Sequence, residues 1–495
     1  MSESFKSIVM LLALMMGISA AQLIRLSFFP HTASYQLSPE QQRQDISQLL
    51  AAINQKSAFA AFDPSRKHAF NQQARLLLNT NLPSTNAAAF QIRLQRWVSS
   101  LNDPAITVKL PDRVQRFADV KQFPGQLQFD GQHWLAYTAI NRPFDEDFPY
   151  LTHIDGLPMQ RWEQAAQRYI PDSIKLSAKE QSHWLRRINR LKLDIGLTIS
   201  NNIVLTLSNP EGNAIQRKVV LVSKNQQRDD THPLTTSTQA VHPSSIRQHV
   251  IRYPADSEFA ALILEQLASS NPKQDLLLDI RHLATADTAL THWLQSQFAP
   301  QYSAYNRAIG LVKYKRSTHT TTTSFAKQHF KPIERLHFFE QVNLEMLGFD
   351  NQIQDSSSFS HWLVRSSNHT RSNSKLNSRK LNLLVDSSCQ QECEWLALMA
   401  SAWPNVQLVG ERTRGSPSPR HYITLIQSGI QLSFSAGLTY SAHGKLVSGI
   451  GISPTIALNN LALSQESISQ LIAAKSIVPT HTSSANTLST AKRSP

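Results

Sequence analysis

The stretch Leu381-Asn382-Leu383-Leu384-Val385, followed by Asp386-Ser387-Ser388-Cys389-Gln390-Gln391-Glu392-Cys393-Glu394, decides the fold class. Its first five residues are the short apolar run that a buried strand requires. An aspartate and two serines then interrupt the run, and such residues stand before helices because their side chains accept hydrogen bonds from free backbone N–H groups. Apolar residues return from about Gln391 to Trp403 in a second, helical segment, and another apolar run, Val406 to Val409, follows. Upstream, a helix from about Ser257 to Ser269 precedes the run Asp275 to Ile280, and a helix from Thr288 to Phe298 comes after it. Strands alternating with helices predict a mainly parallel sheet covered on both faces. The stretch Tyr422 to Phe434, around Ser428-Gly429, predicts an added hairpin.

The rest of the chain has a different rhythm. Between residues 38 and 110 apolar residues recur at helical spacing, in Ile46, Leu49, Leu50 and Ile53 and again in Phe90, Leu94, Trp97 and Val98, before a short strand from Ile106 to Leu110. From Gly125 to Val222 short strands surround helices near Met159–Arg168 and Ala178–Leu191, with Asn209-Pro210-Glu211-Gly212 as a turn. The expected architecture is therefore α/β with α+β parts: a helical region over 36–118, a small module over 119–224, a polar linker over 225–245, an α/β domain over 246–470 and a disordered tail over 471–495.

Composition narrows the class. With 495 residues and 41% hydrophobic content the chain has material for about three domains and is not disordered as a whole. The net charge of +14 would suit a polyanion, but the Lys and Arg residues are dispersed rather than gathered into a stripe with interleaved aromatics. Nucleic acid is not an expected partner; an anionic envelope surface fits the dispersed charge better. Lys6 precedes the uncharged run Ser7 to Ala21, with Ser19 and Ala21 placed as the small residues of a cleavage site, so residues 1–24 read as a signal peptide or an uncleaved anchor. The body of the protein is expected outside the cytoplasm, in the periplasm or held to the outer face of the inner membrane. Cys389 and Cys393, the only cysteines, either pair in such an oxidising compartment or serve as two small apolar helix residues. They offer no second cluster for a metal, and no cofactor motif is present.

Six segments, in order, resemble the tail-specific or C-terminal processing serine peptidases, including their tricorn-core-like branch. They are Leu101-Asn102-Asp103-Pro104-Ala105-Ile106; the turn Ile154-Asp155-Gly156; Asp279-Ile280-Arg281-His282-Leu283-Ala284; the segment Leu384 to Glu394; Gly410-Glu411-Arg412-Thr413-Arg414-Gly415; and Gly449-Ile450-Gly451-Ile452-Ser453-Pro454-Thr455. The resemblance covers most of residues 36–460. It implies that 119–224 is a PDZ-like module, that 246–470 is the peptidase-type core, and that peptides or protein C-termini are the ligands.

Peptide hydrolysis needs an activated nucleophile, a base within reach and fixed donors facing the oxyanion. At the position of the family's serine this chain has Gln391, and a carboxamide cannot attack. Where one branch has its lysine base the chain has Ser416, and where the other has its histidine it has Pro104-Ala105. The acid of that second branch corresponds to Ser448, and Leu283, Ala284 and Thr285 stand where glycines would turn N–H groups toward substrate. Ser387 and Ser388 remain as displaced nucleophile candidates, although serines between strand and helix ordinarily cap. Asp279 and Arg281 read as a structural pair, Glu394 as a cap or salt-bridge partner, and His282 as partly buried rather than functional. The expected function is peptide binding without catalysis, with a serine peptidase of relocated nucleophile as the alternative.

Overall fold

The computed structural model describes residues 15, 36–111, 121–140, 142–223, 248–252, 260–270, 274–281, 283, 288–299, 308–316, 330–347, 358–366 and 379–458. Apart from Met15, the expected signal or anchor segment lies outside the described residues, as do the linker 225–245, His282, Ala284, Thr285 and the tail.

The helical region is built from α1 (Pro39–Lys56), α2 (Ala58–Phe62), α3 (Pro64–Asn79) and α4 (Ala87–Ser99), each started by a side-chain cap from Ser38, Ser57, Asp63 or Asn86. Proline at the first helical position of α1 and α3 fits there because that N–H has no intrahelical partner. The region is not closed on itself. Strand β1 (Thr107–Lys109) pairs antiparallel with a strand more than three hundred residues later, and Ile46, Phe90 and Leu94 share one core with Leu425, Ile430, Leu432 and Phe434. Buried Asp45 fixes the contact by accepting from the backbone N–H groups of Gln427 and Ser428, both at 2.9 Å.

The next module is an antiparallel sheet of β2 (Gln126–Phe129), β3 (Trp134–Tyr137), β4 (Tyr150–Ile154), β5 (Asn202–Ser208) and β6 (Ala214–Val220), in spatial order β6-β5-β4-β3-β2. Burial alternates along β5, so one face of the sheet packs on α5 (Met159–Gln167), α6 (Ala178–Leu185) and α7 (Ile188–Asp194). The single helix expected over Ala178–Leu191 is thus two, broken at Arg186-Arg187, where Arg187 has φ −84 and ψ 48. The Ile154-Asp155-Gly156 turn is structural: Asp155 (φ 49) exchanges hydrogen bonds with the Val204 backbone and pairs with Lys192 at 2.6 Å, while Trp162 Nε1 donates to Ile154 O.

The third part contains β7 (Gln248–Arg252), α8 (Ala260–Ser269), β8 (Asp275–Asp279), α9 (Thr288–Phe298), β9 (Ala308–Tyr314), α10 (Phe338–Met346), β10 (Leu363–Ser366), β11 (Leu381–Val385), α11 (Glu392–Ala400), β12 (Val406–Gly410), β13 (Arg420–Thr424), β14 (Gln431–Ser435), β15 (Gly437–Ser441) and β16 (Ile456–Ala457). Strands β7, β8, β11, β12 and β16 form a wholly parallel sheet in that order. Leu381–Val385 is buried at all five positions, as a strand covered on both faces must be. The expectation of a mainly parallel core needs correction, however. Strands β9, β10 and β15 belong to one antiparallel sheet, and β13, β14 and β1 to another, because the segments between β8 and β11 and between β12 and β16 pair with each other and with the helical region rather than with the parallel sheet.

Candidate active-site region

Strand β11 ends at Val385 and helix α11 starts at Glu392, so the residues between them form the turn under test. Asp386 organises its first half, accepting from the Ser388 N–H at 2.7 Å and from the Ser388 hydroxyl. Cys389 and Cys393 are joined by a disulfide with Cα atoms 5.3 Å apart, both fully buried, which ties this turn to the first turn of α11. A disulfide sulfur carries no proton, so the 3.2 Å approach of Cys393 Sγ to Ile280 O is a packing contact.

Gln391 is the N-cap of α11, with φ 51 and ψ −116 and no capping hydrogen bond from its side chain. Only Asn102 and Asp155 share a positive φ among the described non-glycine residues. Such a conformation costs about 1–3 kcal/mol for a side-chain-bearing residue, and sharp strand-to-helix turns of this kind present a nucleophile at a helix N-terminus. The backbone has the shape that a nucleophile uses, and the side chain on it is a carboxamide.

Two surrounding loops hold that turn. Gln391 N–H donates to Ser416 O at 3.1 Å. Glu394, with no exposed surface, accepts from the Thr413 hydroxyl and the Gly415 N–H at 2.6 Å each and from the Ser416 N–H at 2.7 Å. Burial pushes its carboxyl up to about 7 against the downward pull of those three donors. Glu394 therefore neither caps its helix nor pairs with an arginine, as its sequence position suggested; it anchors the Gly410–Gly415 loop. That loop lies back to back with the Gly449–Ile452 segment through Thr413 N–H to Ile452 O at 3.0 Å and Gly449 N–H to Gly415 O at 2.8 Å. A Cβ at Gly451, where φ is 79, would stand 2.2 Å from Thr413 O, so only glycine fits.

The expected degenerate positions meet around this turn. Ser416 is buried and bonded to Gln391 and Glu394 through its backbone, and its hydroxyl accepts from Arg420 at 3.3 Å. Pro104 is tied to the same loop by its carbonyl, which accepts from Arg414 Nε at 2.8 Å, and Ala105 N–H donates to buried Asp103 at 2.9 Å. Ser448 sits in a hydroxyl cluster, 3.3 Å from Ser418 Oγ and accepting from Thr439 N–H at 2.9 Å. Leu283 is buried in the main core, so its side chain serves packing. Among the described residues no histidine or lysine is hydrogen-bonded to Gln391, Ser387, Ser388 or Ser416.

Solved structures were found with the same arrangement of elements. Mature CPAF, a tail-specific protease family member, matches with a TM-score of 0.54 and 14% identity over 85% of this chain and 93% of its own. The fold is that of the tail-specific peptidases. CPAF complexed with lactacystin gives 0.55 and 15% over 88% and 97% of the two chains. The photosystem II D1 C-terminal processing protease is a looser match, 0.40 and 14% over 87% and 96%. No family model and no curated protein matches the sequence.

Within this tail-specific peptidase fold, a polar network that no sequence motif marks joins the antiparallel module to the core. Ser177, the N-cap of α6, places its hydroxyl 2.9 Å from Ser387 Oγ and 3.0 Å from Glu411 Oε2. Lys179 pairs with buried Asp386 at 3.0 Å, Asp386 lies 3.9 Å from Arg281, and Arg281 is fixed by two bonds to Asp279 at 2.7 and 2.9 Å. Burial and the neighbouring Asp386 charge push Glu411 up to about 7, whereas Lys179 and the Ser388 hydroxyl help to hold Asp386 below the usual carboxylate range despite its burial. Arg414 reaches across to Glu180 at 2.8 Å. The module residues Ser177, Lys179 and Glu180 carry no motif, and only their distant partners reveal them.

Proposed function

We propose that this chain is a non-catalytic relative of the tail-specific serine peptidases that binds peptide segments in the cell envelope. The observation that carries the reading is Gln391 in the turn between β11 and α11, with φ 51 and ψ −116. It stands where a nucleophile would be presented, and a carboxamide has no electron pair basic enough to attack a peptide carbonyl. The buried hydroxyls of Ser416 and Ser448 fit with this, since neither position supplies a base. Peptide binding does not need that machinery. The antiparallel module, read as PDZ-like, would take an extended chain by adding it to a sheet edge, where main-chain groups supply the pairing. The pattern of residues 1–24 supports export past the inner membrane, the Cys389–Cys393 disulfide suits an oxidising compartment, and the net positive charge would suit an anionic envelope surface.

A second reading has its own support. Ser387, Ser177 and Glu411 form a hydrogen-bonded line in which Ser177 can pass a proton from Ser387 to a carboxylate poised near neutrality. Ser387 is fully buried and so has no contact with substrate in this conformation. Incubation of the full chain with an unfolded polypeptide separates the two readings. The non-catalytic reading expects no cleavage above a buffer control; cleavage that vanishes in Ser387→Ala or Ser388→Ala would establish the relocated nucleophile instead.

A further inference from the structure

Arg187, at the break between α6 and α7, lines a cavity of about 1090 Å³ between the helical region and the antiparallel module. Its guanidinium lies over the Trp184 ring, 4.6 Å from the centroid, and Tyr169 stacks on the same side chain at 4.4 Å. Among the described residues it has no carboxylate partner and no side-chain hydrogen bond, and none of its nitrogens is sealed from solvent. The acids of the two helices are taken. Glu180 attracts Arg187 through space but bonds Arg414 at 2.8 Å, and Asp194 pairs with Arg190 and Arg96 at 3.5 Å each. Burial, and then the adjacent Arg186 charge, push the Arg187 pKa down to about 10.

A cation over an indole is held in place without being neutralised, and a planar fork so held keeps its edge donors for a carboxylate. Much of the remaining wall is polar and uncharged. Gln95 and Gln431 line it with no side-chain partner among the described residues, and each amide offers donors and an acceptor, the pairing a sugar hydroxyl takes. Leu193 and Ile199 add exposed apolar surface that suits the C–H face of a ring. Lys109 and Lys121 bring positive charge from two other segments, so single charges set at intervals fit this wall better than one doubly charged phosphate. The volume stands at the upper end of the range for small-ligand sites, about 300–1,000 Å³, which leaves room for more than one ring. An extended peptide is less well served. It would pair with β1, which borders the cavity, and there Val108 O already accepts from Gln91 Nε2 at 2.6 Å.

We propose that this cavity binds an acidic saccharide, a short run of sugar rings carrying separate carboxylates, with Arg187 on one carboxylate and Gln95 and Gln431 on ring hydroxyls. The proposal rests on the anionic-surface part of the envelope reading and gives that part a site and a chemical class. The full-length protein is titrated by calorimetry with trigalacturonate, with its fully methyl-esterified form, with citrate and with a capped triglutamate peptide. Trigalacturonate binds one per chain and about 10- to 100-fold more tightly than the ester, the span of a hydrogen bond to a charged group. Citrate and the peptide, which carry the charges without the rings, bind at least about 10-fold more weakly than trigalacturonate. Arg187→Gln removes the preference for acid over ester and leaves ester binding unchanged, and Arg187→Lys keeps part of that preference. Gln95→Leu weakens acid and ester together, and Arg217→Gln, which breaks an ion pair outside the cavity, changes neither. An arginine needed only to pack on Trp184 would lower the melting temperature on Arg187→Gln and weaken acid and ester alike, and that result would overturn the proposal. Equal binding of acid and ester by the native protein would overturn it too, as would citrate or the peptide binding as tightly as trigalacturonate. Native protein that is retained on an anionic polymer at low salt yet binds no trigalacturonate would overturn the site and leave the anionic-surface reading; native protein that does neither would overturn both.

Discussion

The loop pair around Glu394 and the positions around Gln391 lie against each other, yet they differ in what they keep. In the resemblance read from the sequence, Gly410-Glu411-Arg412-Thr413-Arg414-Gly415 and Gly449-Ile450-Gly451 keep their motif glycines and Thr413, while Gln391, Ser416, Pro104-Ala105 and Ser448 are the positions read as departing from it. The first group is held by the fold itself: Thr413, Gly415 and Ser416 give three donors to one buried carboxylate, and Gly451 has no room for a Cβ. Replacing any of these disturbs packing. The hydrogen bonds that place Gln391, Pro104 and Ala105 come from the backbone, and the Gln391 side chain makes no capping bond, whereas Pro104 and Ala105 are themselves buried.

That contrast can be broken or sharpened by substitution. Glu394→Ala strands three buried donors and opens a cavity, and should cost about 3–5 kcal/mol in a denaturant titration, the range for leaving buried polar partners unpaired. A loss under about 1 kcal/mol would mean that the loop holds itself. Gly451→Ala should cost roughly 2–3 kcal/mol, through a Cβ forced against Thr413 O and an L-residue forced into positive φ. Gln391→Gly should have the opposite sign, stabilising by about 1 kcal/mol because glycine adopts φ 51 without strain.

The pH dependence follows from two carboxyls. Glu394 and Glu411 are both pushed up to about 7 in the fold from the ordinary glutamate value of 4.5, so the folded state holds these protons more tightly than the unfolded chain. Their contribution to stability is complete below the unfolded value and is lost as pH rises through the folded one. Melting temperature should therefore fall between about pH 5 and pH 7.5, and the fall should shrink in Glu411→Gln. A rise over that interval would show that the three donors keep Glu394 ionised and that Ser177 and Lys179 do the same for Glu411.

Much of this was legible in the sequence, for a physical reason in each case. Leu381–Val385 announces a buried strand because a strand covered on both faces has no polar position, and the Gly-rich motifs announce tight backbone contacts because only glycine satisfies them. Of the antiparallel pairings beside the parallel sheet, the hairpin over Tyr422–Phe434 was legible from its turn at Ser428-Gly429, and the others were not. Pairing of Thr107–Lys109 with Gln431–Ser435 joins residues far apart in sequence, and neither strand's composition records its partner. The same limit hid Ser177, Lys179 and Arg420. Each is an ordinary polar residue until the fold brings Ser387, Asp386 or Gln390 to it. The break between α6 and α7 was missed because the apolar spacing continues through Arg186-Arg187 while the backbone turns.

Intact-mass measurement after exposure of the full chain to a fluorophosphonate tests the central claim most directly, since the reagent bonds covalently to any activated serine hydroxyl. The account predicts no adduct on the native protein, and none on Ser387→Ala or Ser388→Ala. One adduct per chain on the native protein, lost in either of those variants, would contradict it.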